Sequence, residues 1–418
     1  MALANITHLH SDTPILCGLA CVIPTLAALA PLQISSAAVI AAFFVCLRRI
    51  QNGGPWFFRQ ATYIILILSL IIWSGLSSIW SIDGLHSLSA AFRLLLAATT
   101  LIILADAALR LGLSDKDVFL KWMAYGAIIG VVVTLIYIVT IYFHTIWIQK
   151  AEMADHELNA LNRNASVIVI FMWPWTFAIL NTLGRYAAIL FVATSSVMLA
   201  LLAPSAPLIA LISAAILFLI TWHSPLLGKV TLTSIYLLPI LAVPYLSILM
   251  PHAIAILSEH LPNPTAMVHR FMIWQFSAES ILQKPLMGWG LDTARILPGG
   301  GQEITIGTTH TEGTAIVGEA LPLHPHNAII QIWLELGLVG LILFSALFFV
   351  LVIAIPNRKK GGAACAMSAS VLTAGLMVSQ LGFGFWQGWW LATLGVAAVL
   401  TIASAGPFKI HTPSTEHR

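Results

Sequence analysis

Two imidazoles stand two residues apart in His324-Pro325-His326-Asn327, immediately before a long apolar run. A histidine side chain titrates near about pH 6.5, so it can take a proton from a hydroxyl at neutral pH. Pro325 keeps the residue before it out of the helical region, which sets His326 at the mouth of the helix that follows. Asn327 can orient the imidazole or bind a sugar hydroxyl; the same residues also read as interfacial loop histidines with no role. Arg270 and Trp274 lie four apart and share one helix face. A guanidinium holds phosphate bidentately and keeps its charge, although Arg270 also reads as a salt-bridge or headgroup contact. Trp274 can stack on a sugar or anchor at a membrane interface. Arg163 and Asn164, at the end of another apolar run, are candidates for a second phosphate contact and a neighbouring polar contact. Arg93 falls inside an apolar run, where a charge reads as functional by default, or as a snorkelling or partnered side chain. Glu312, Glu319 and Glu335 are alternative bases.

Other chemistries fit poorly. His310, His324, His326 and Glu319 are conceivable metal ligands, but i,i+2 spacing is poor on a helix and no H-E-x-x-H occurs. No metal and no cofactor is therefore expected. There is no G-x-S-x-G and no G-x-x-x-x-G-K-[ST], so neither a serine triad nor a nucleotide site is expected. No Lys/Arg cluster with interleaved aromatics points to nucleic acid. Cys17, Cys21, Cys46 and Cys365 sit in apolar runs and read as packing residues.

The elements that must position these groups are membrane spans. Of 418 residues, 59% are hydrophobic and 8% charged, with a mean hydropathy of +0.94. Soluble domains carry roughly 25% charged residues, so lipid is the solvent here. With about 20 apolar residues needed per crossing, the sequence predicts an all-α polytopic bundle of about twelve spans. They fall at 15–32, 34–47, 61–80, 88–105, 120–143, 165–183, 186–203, 207–222, 230–250, 328–355, 363–383 and 389–405. The first has no basic segment before it and reads as a retained span rather than a cleaved signal peptide. The chain then divides into 1–250 with nine spans, a polar loop domain at 251–327, 328–405 with three spans, and a tail at 406–418. A smaller loop falls at 144–163. Loops this long are usually functional or disordered. The larger one keeps Phe271, Ile273, Trp274, Phe276 and Trp289, with an amphipathic helix expected over 266–283 and a turn at Lys284-Pro285.

Basic residues orient the bundle. Arg48, Arg49, Arg59, Arg110, Lys116, Lys121, Arg185, Lys229, Arg358, Lys359, Lys360, Lys409 and Arg418 fall on the side of the N-terminus. Lys150, Arg163, Arg270, Lys284 and Arg295 fall on the other. By the positive-inside rule both termini are cytoplasmic and both long loops lie outside.

His326-Asn327, nine residues, then Gly337-Leu338-Val339-Gly340 resembles the H-[NSQ]-x9-G-x-x-[GTY] signature of bacterial O-antigen ligases. Arg270-Phe271-Met272-Ile273-Trp274 and Pro285-Leu286-Met287-Gly288-Trp289-Gly290 resemble the R-x-x-x-W and P-x-x-G-x-G run of the wider ligase and polymerase superfamily. The motifs cover residues 265–345. The resemblance implies a GT-C-class glycosyltransferase in the bacterial inner membrane. It would move O-antigen from undecaprenyl diphosphate to a hydroxyl of lipid A–core oligosaccharide on the periplasmic face, with inversion and without metal or nucleotide. It implies His326 as general base, Arg270 as the loop arginine at the diphosphate, and Arg163 as a second arginine; His324 lies outside the signature and reads as a supporting residue. An O-antigen polymerase, a protein O-oligosaccharyltransferase and a non-enzymatic lipid-linked glycan transporter remain alternatives.

Overall fold

A computed structural model describes residues 12–52, 61–144, 155–202, 205–261, 264–308, 315–357 and 362–405. Fourteen helices and one hairpin account for nearly all of them: α1 (Thr13–Leu29), α2 (Ile34–Gln51), α3 (Ala61–Leu76), α4 (Gly84–Leu109), α5 (Leu113–Tyr142), α6 (Asp155–Thr182), α7 (Arg185–Leu202), α8 (Ser205–His223), α9 (Pro225–Ala242), α10 (Leu246–His260), α11 (Thr265–Gln283), β1 (Glu303–Thr308), β2 (Ala315–Glu319), α12 (Ala328–Ala354), α13 (Gly362–Leu381) and α14 (Gly388–Ala405). Eleven helical stretches among the described residues are long and apolar enough to cross a membrane, with α9 and α10 running together as one stretch. The first expected span coincides with α1, a shorter apolar helix of 17 residues. The chain is a multi-pass helical membrane protein.

The centre of the bundle is α6 and α13, the most buried of these stretches. On α13 a face of Ala366, Ala369, Ser370, Ala374 and other small residues lets α8 approach closely, and Ser370 Oγ donates to the Ala214 carbonyl at 3.0 Å. Small side chains and cross-helix hydroxyl bonds are how helices associate where lipid removes the hydrophobic drive. On the face away from the long loop, Arg49 is 3% exposed and bridges Asp12 and Asp106, each at 2.8 Å. Asp106 also takes Arg110 at 2.7 Å. That network joins the ends of α1, α2 and α4.

On the loop face α12 is broken. Gly337 adopts φ 67°, ψ −171° inside an otherwise helical run. Such a break leaves backbone groups without helical partners, at a depth where no water replaces them. The loop segment after α11 supplies the partners. Trp289 N–H donates to Leu334 O and Gly290 N–H to Glu335 O, at 3.0 and 2.8 Å. Leu338 N–H donates to Pro285 O at 2.9 Å, and the Trp73 indole donates to Leu336 O at 2.8 Å. A β-carbon on Gly337 would collide with Leu286 O, and one on Gly288 with Glu335 O. Both glycines also have positive φ, so the two strands of chain meet backbone to backbone only because both are glycine.

The side chain of Glu335 fastens the next stretch of loop. It is fully buried. One carboxylate oxygen takes Asp292 N–H and the Trp386 indole, both at 2.6 Å. The other takes the Gln331 amide at 3.1 Å and Ala294 N–H at 3.4 Å. Below this junction an apolar cavity of about 430 Å³ opens between α3, α4, α12, α13 and α14. It runs from Asp106 and Ile355 at one end to Phe385 and Trp386 beneath the loop.

Gly337→Ala is expected to cost about 2 kcal/mol or more, from the forbidden backbone region alone, and to lower the thermal unfolding midpoint in detergent. Arg49→Leu takes the guanidinium away from the buried Asp12 and Asp106 carboxylates and is expected to cost about 3–5 kcal/mol. A wild-type midpoint in either variant would remove the corresponding contact from the account of stability.

Candidate functional site

The His324–Asn327 segment is short, and neighbouring elements fix every residue of it. Asn327 is 7% exposed and its side-chain oxygen accepts Ile330 N–H at 3.0 Å. That is an N-cap for α12, so this oxygen holds the helix end rather than a ligand. Pro325 O accepts the Trp274 indole N–H at 2.9 Å; the tryptophan of α11 braces the loop by its edge. His326 has φ 53°, a left-handed conformation that is rare for a residue with a side chain. Its ring centroid lies 4.2 Å from that of His324.

The hydrogen bonds of the two rings assign their protons. His326 Nδ1 is 2.7 Å from Gly382 O. A carbonyl can only accept, so Nδ1 carries the proton and Nε2 of the neutral ring is left with its lone pair. His324 Nδ1 accepts the backbone N–H of His326 at 3.2 Å, so its proton is on Nε2. Burial pushes the His326 imidazole below its ordinary range; the Gly382 carbonyl opposes this and the charges of Arg270 and His269 add to it. Burial, then His326, Arg295 and Arg270, push His324 down to about 3. Both rings are neutral at pH 7, one of them with a basic nitrogen oriented by a backbone carbonyl.

Arg270 is carried by α11, and its charge helps to lower the pKa of both rings. It is half-buried, which lowers its own pKa. Among the described residues it has no carboxylate partner. His269 beside it bonds Glu319 O at 2.8 Å and so ties α11 to the hairpin, which pairs antiparallel from Glu303↔Glu319 to Thr308↔Ala315.

Not every residue singled out in the sequence joins this cluster. Asn164 is buried and donates to Ala28 O at 2.7 Å, so its amide clamps α6 to the end of α1. Arg163 sits half-buried on α6 beside it, with no hydrogen bond or ion pair among the described residues and none to His326 or Arg270. Arg93 finds a partner in Asp292, at 3.2 Å, and thereby reaches the loop. Glu335 is sealed beneath the loop with both oxygens bonded, which removes it as a base. Glu319 is exposed on β2, and Glu312 and His310 lie outside the described residues.

The structure adds residues that the sequence did not single out for chemistry. Asp292, also at positive φ, draws in His86 at 3.0 Å, Arg93 and Arg295. With Leu323, His324, Gln331, Gly384, Trp386 and Gln387, Asp292 and Arg295 line a small polar pocket. Gln331 and Glu335, four apart inside an apolar span, were a readable signal of buried polar function. Gly382 O, a backbone atom, carried none.

A family model described as O-antigen ligase matches residues 189–345, a stretch that holds Arg270, Arg295, His324 and His326 but neither Arg163 nor Asn164. A Rickettsia conorii protein described as a candidate polysaccharide ligase is 32% identical over 135 residues, 32% of this chain and 31% of that protein. Proteins of the same description from Rickettsia felis and Rickettsia typhi are 33% identical over 138 and 144 residues. The chain matches about a third of the length of these relatives, 31% to 33%. Over residues 189–345 the chain is similar to the O-antigen ligase family.

Proposed function

We propose that this protein is a GT-C-class glycosyltransferase of the bacterial inner membrane. It transfers O-antigen polysaccharide from undecaprenyl diphosphate to a hydroxyl of lipid A–core oligosaccharide on the periplasmic side. The observation that carries the reading is the His326 ring. Its Nδ1–H is spent on Gly382 O at 2.7 Å, and Nε2 is left as a neutral acceptor on a ring that feels the charge of Arg270, which has no carboxylate partner among the described residues.

The chemistry follows from those atoms. His326 Nε2 takes the proton of the acceptor hydroxyl as its oxygen attacks the anomeric carbon. The new carbon–oxygen bond forms as the bond from that carbon to the phosphate oxygen breaks, on opposite faces, so the configuration inverts. The electron pair leaves with undecaprenyl diphosphate. Arg270 faces the charge that builds up there, in a half-buried place where such contacts are stronger than in water. The apolar cavity under Trp386 suits one polyprenyl chain: it opens along the bundle and ends beneath the polar cluster. The basic residues at the opposite face support a periplasmic placement of the loop.

His326→Ala is expected to lower transfer by about 10²-fold or more while undecaprenyl diphosphate still binds, measured with purified protein and both lipid substrates in detergent. Unimpaired transfer would end the proposal. A product extended on a second lipid-linked glycan, instead of on lipid A–core, would mark a polymerase. The base works as a neutral ring whose pKa lies below the usual value of about 6.5. Protonation therefore removes activity only on the acid side, and kcat/KM is expected to stay flat as pH falls from 8 to about 6.5. A limb titrating near 7 or above would assign the base to another group.

A further inference from the structure

We propose that Arg295 is a second guanidinium of the donor site and contacts the diphosphate between the mouth of the apolar cavity and the histidine pair; this rests on the donor reading above.

The backbone that carries Arg295 is fixed before any ligand arrives. It lies in the short turn Ala294–Ile296. Glu335 holds the start of that turn by Asp292 N–H at 2.6 Å and Ala294 N–H at 3.4 Å, and Thr293 Oγ donates to Gly290 O at 2.6 Å. On this rigid base the guanidinium remains 45% exposed. Its tie to protein is loose: one nitrogen sits 3.4 Å from Asp292. That carboxylate already serves His86 at 3.0 Å and Arg93 at 3.2 Å. Arg270 has no carboxylate at all among the described residues, and Glu335 is enclosed by neutral donors. Among the described residues Arg93 and Arg295 thus share the one carboxylate of Asp292 and Arg270 has none, which suits a dianionic bridge.

Position argues the same way. Arg295, His324, Gln331, Trp386 and Gln387 share one polar pocket, and Trp386 also lines the end of the apolar cavity. A lipid whose chain fills the cavity must bring its headgroup past Trp386, into reach of Arg295, before its sugar meets His324 and His326. No other arginine of the described residues lines that polar pocket. A guanidinium there binds two phosphate oxygens at once, which an ammonium does not.

Purified protein in detergent is titrated with undecaprenyl diphosphate and, separately, with undecaprenol, which has the chain and no charge. The ratio of the two dissociation constants reads the headgroup alone. Arg295→Ala is expected to reduce the preference for the diphosphate by about tenfold or more, the scale of a lost charge-assisted contact. Arg295→Lys is expected to restore part of it, and both variants to keep the wild-type affinity for undecaprenol, which shows that the fold and the cavity survive. A wild-type preference in Arg295→Ala overturns the assignment and leaves the proposed function standing. A wild-type protein that binds the two lipids equally overturns both. Transfer that survives His326→Ala, with the Arg295 effect intact, overturns the catalytic reading alone. If undecaprenol binding falls in step with diphosphate binding in both variants, Arg295 is structural and the proposal fails.

Discussion

Backbone amides and carbonyls buried in a hydrocarbon layer have to be satisfied by protein, because lipid offers nothing to bond to. The interruption of α12 is where this chain meets that constraint most sharply. A helix that stops at Glu335 and restarts after Gly337 strands carbonyls on one side and amides on the other. Residues 285–290 run alongside and take up those groups one by one. Three tryptophans add indole bonds at the same junction, Trp73 to Leu336 O, Trp80 to Met287 O and Trp333 to Pro285 O. A segment that composition presents as loop is therefore part of the edge of the bundle, hydrogen-bonded to the helix it joins.

The rest of the site is built outward from that junction. Once Gly288 and Gly290 lie against α12, the chain emerges where the Glu335 carboxylate can grip Asp292 and Ala294. The same carboxylate takes the Trp386 indole from the connection before α14, and Gln331, one turn earlier, takes Phe385 N–H at 2.8 Å. Loop, broken helix and the α13–α14 connection are thus fastened at one buried point. Gly382, which orients His326, belongs to that same connection. Buried carboxylates cost several kcal/mol to desolvate unless every lone pair finds a donor. Four donors converge here, and what the structure gains is a fixed relation between three elements.

How much of this the sequence discloses depends on the range of the interaction. Apolar runs of helical length are local, and eleven of the spans they mark recur as helices of sufficient length. The amphipathic pattern over 266–283 is local too, and α11 forms there. The hairpin at 303–319 was not read, because Glu303–Thr308 is short and interrupted by Gly307 at an irregular register. At the site, His326 and Arg270 stood out by type and spacing. Asn327 and Trp274 were legible as polar or aromatic neighbours, but not as a helix cap and a brace, since those roles belong to partners at Ile330 and Pro325. Arg163 drew notice as an outer arginine, whereas Arg295 did not, because its surroundings depend on Glu335, forty residues later. Side chains whose setting comes from contacts distant in sequence cannot be ranked by spacing alone.

The partner of His326 decides what kind of base it can be. In a serine hydrolase triad a carboxylate orients the imidazole and raises its affinity for a proton. In this site the orienting atom is a carbonyl oxygen, which fixes the same tautomer without adding a full negative charge. Beside an anionic donor that difference matters twice. A carboxylate next to His326 would repel the diphosphate that, in the proposed reaction, Arg270 attracts. It would also draw the imidazole pKa upward, so that a growing share of the rings would be protonated, and inert as bases, at neutral pH. The carbonyl leaves burial and the nearby guanidinium in control, and both favour the neutral ring. The left-handed backbone at residue 326, which costs about 1–3 kcal/mol, brings the ring to Gly382 from a segment already capped by Asn327 and braced by Trp274. Strain, cap and brace therefore serve one end: a neutral imidazole with a defined free nitrogen.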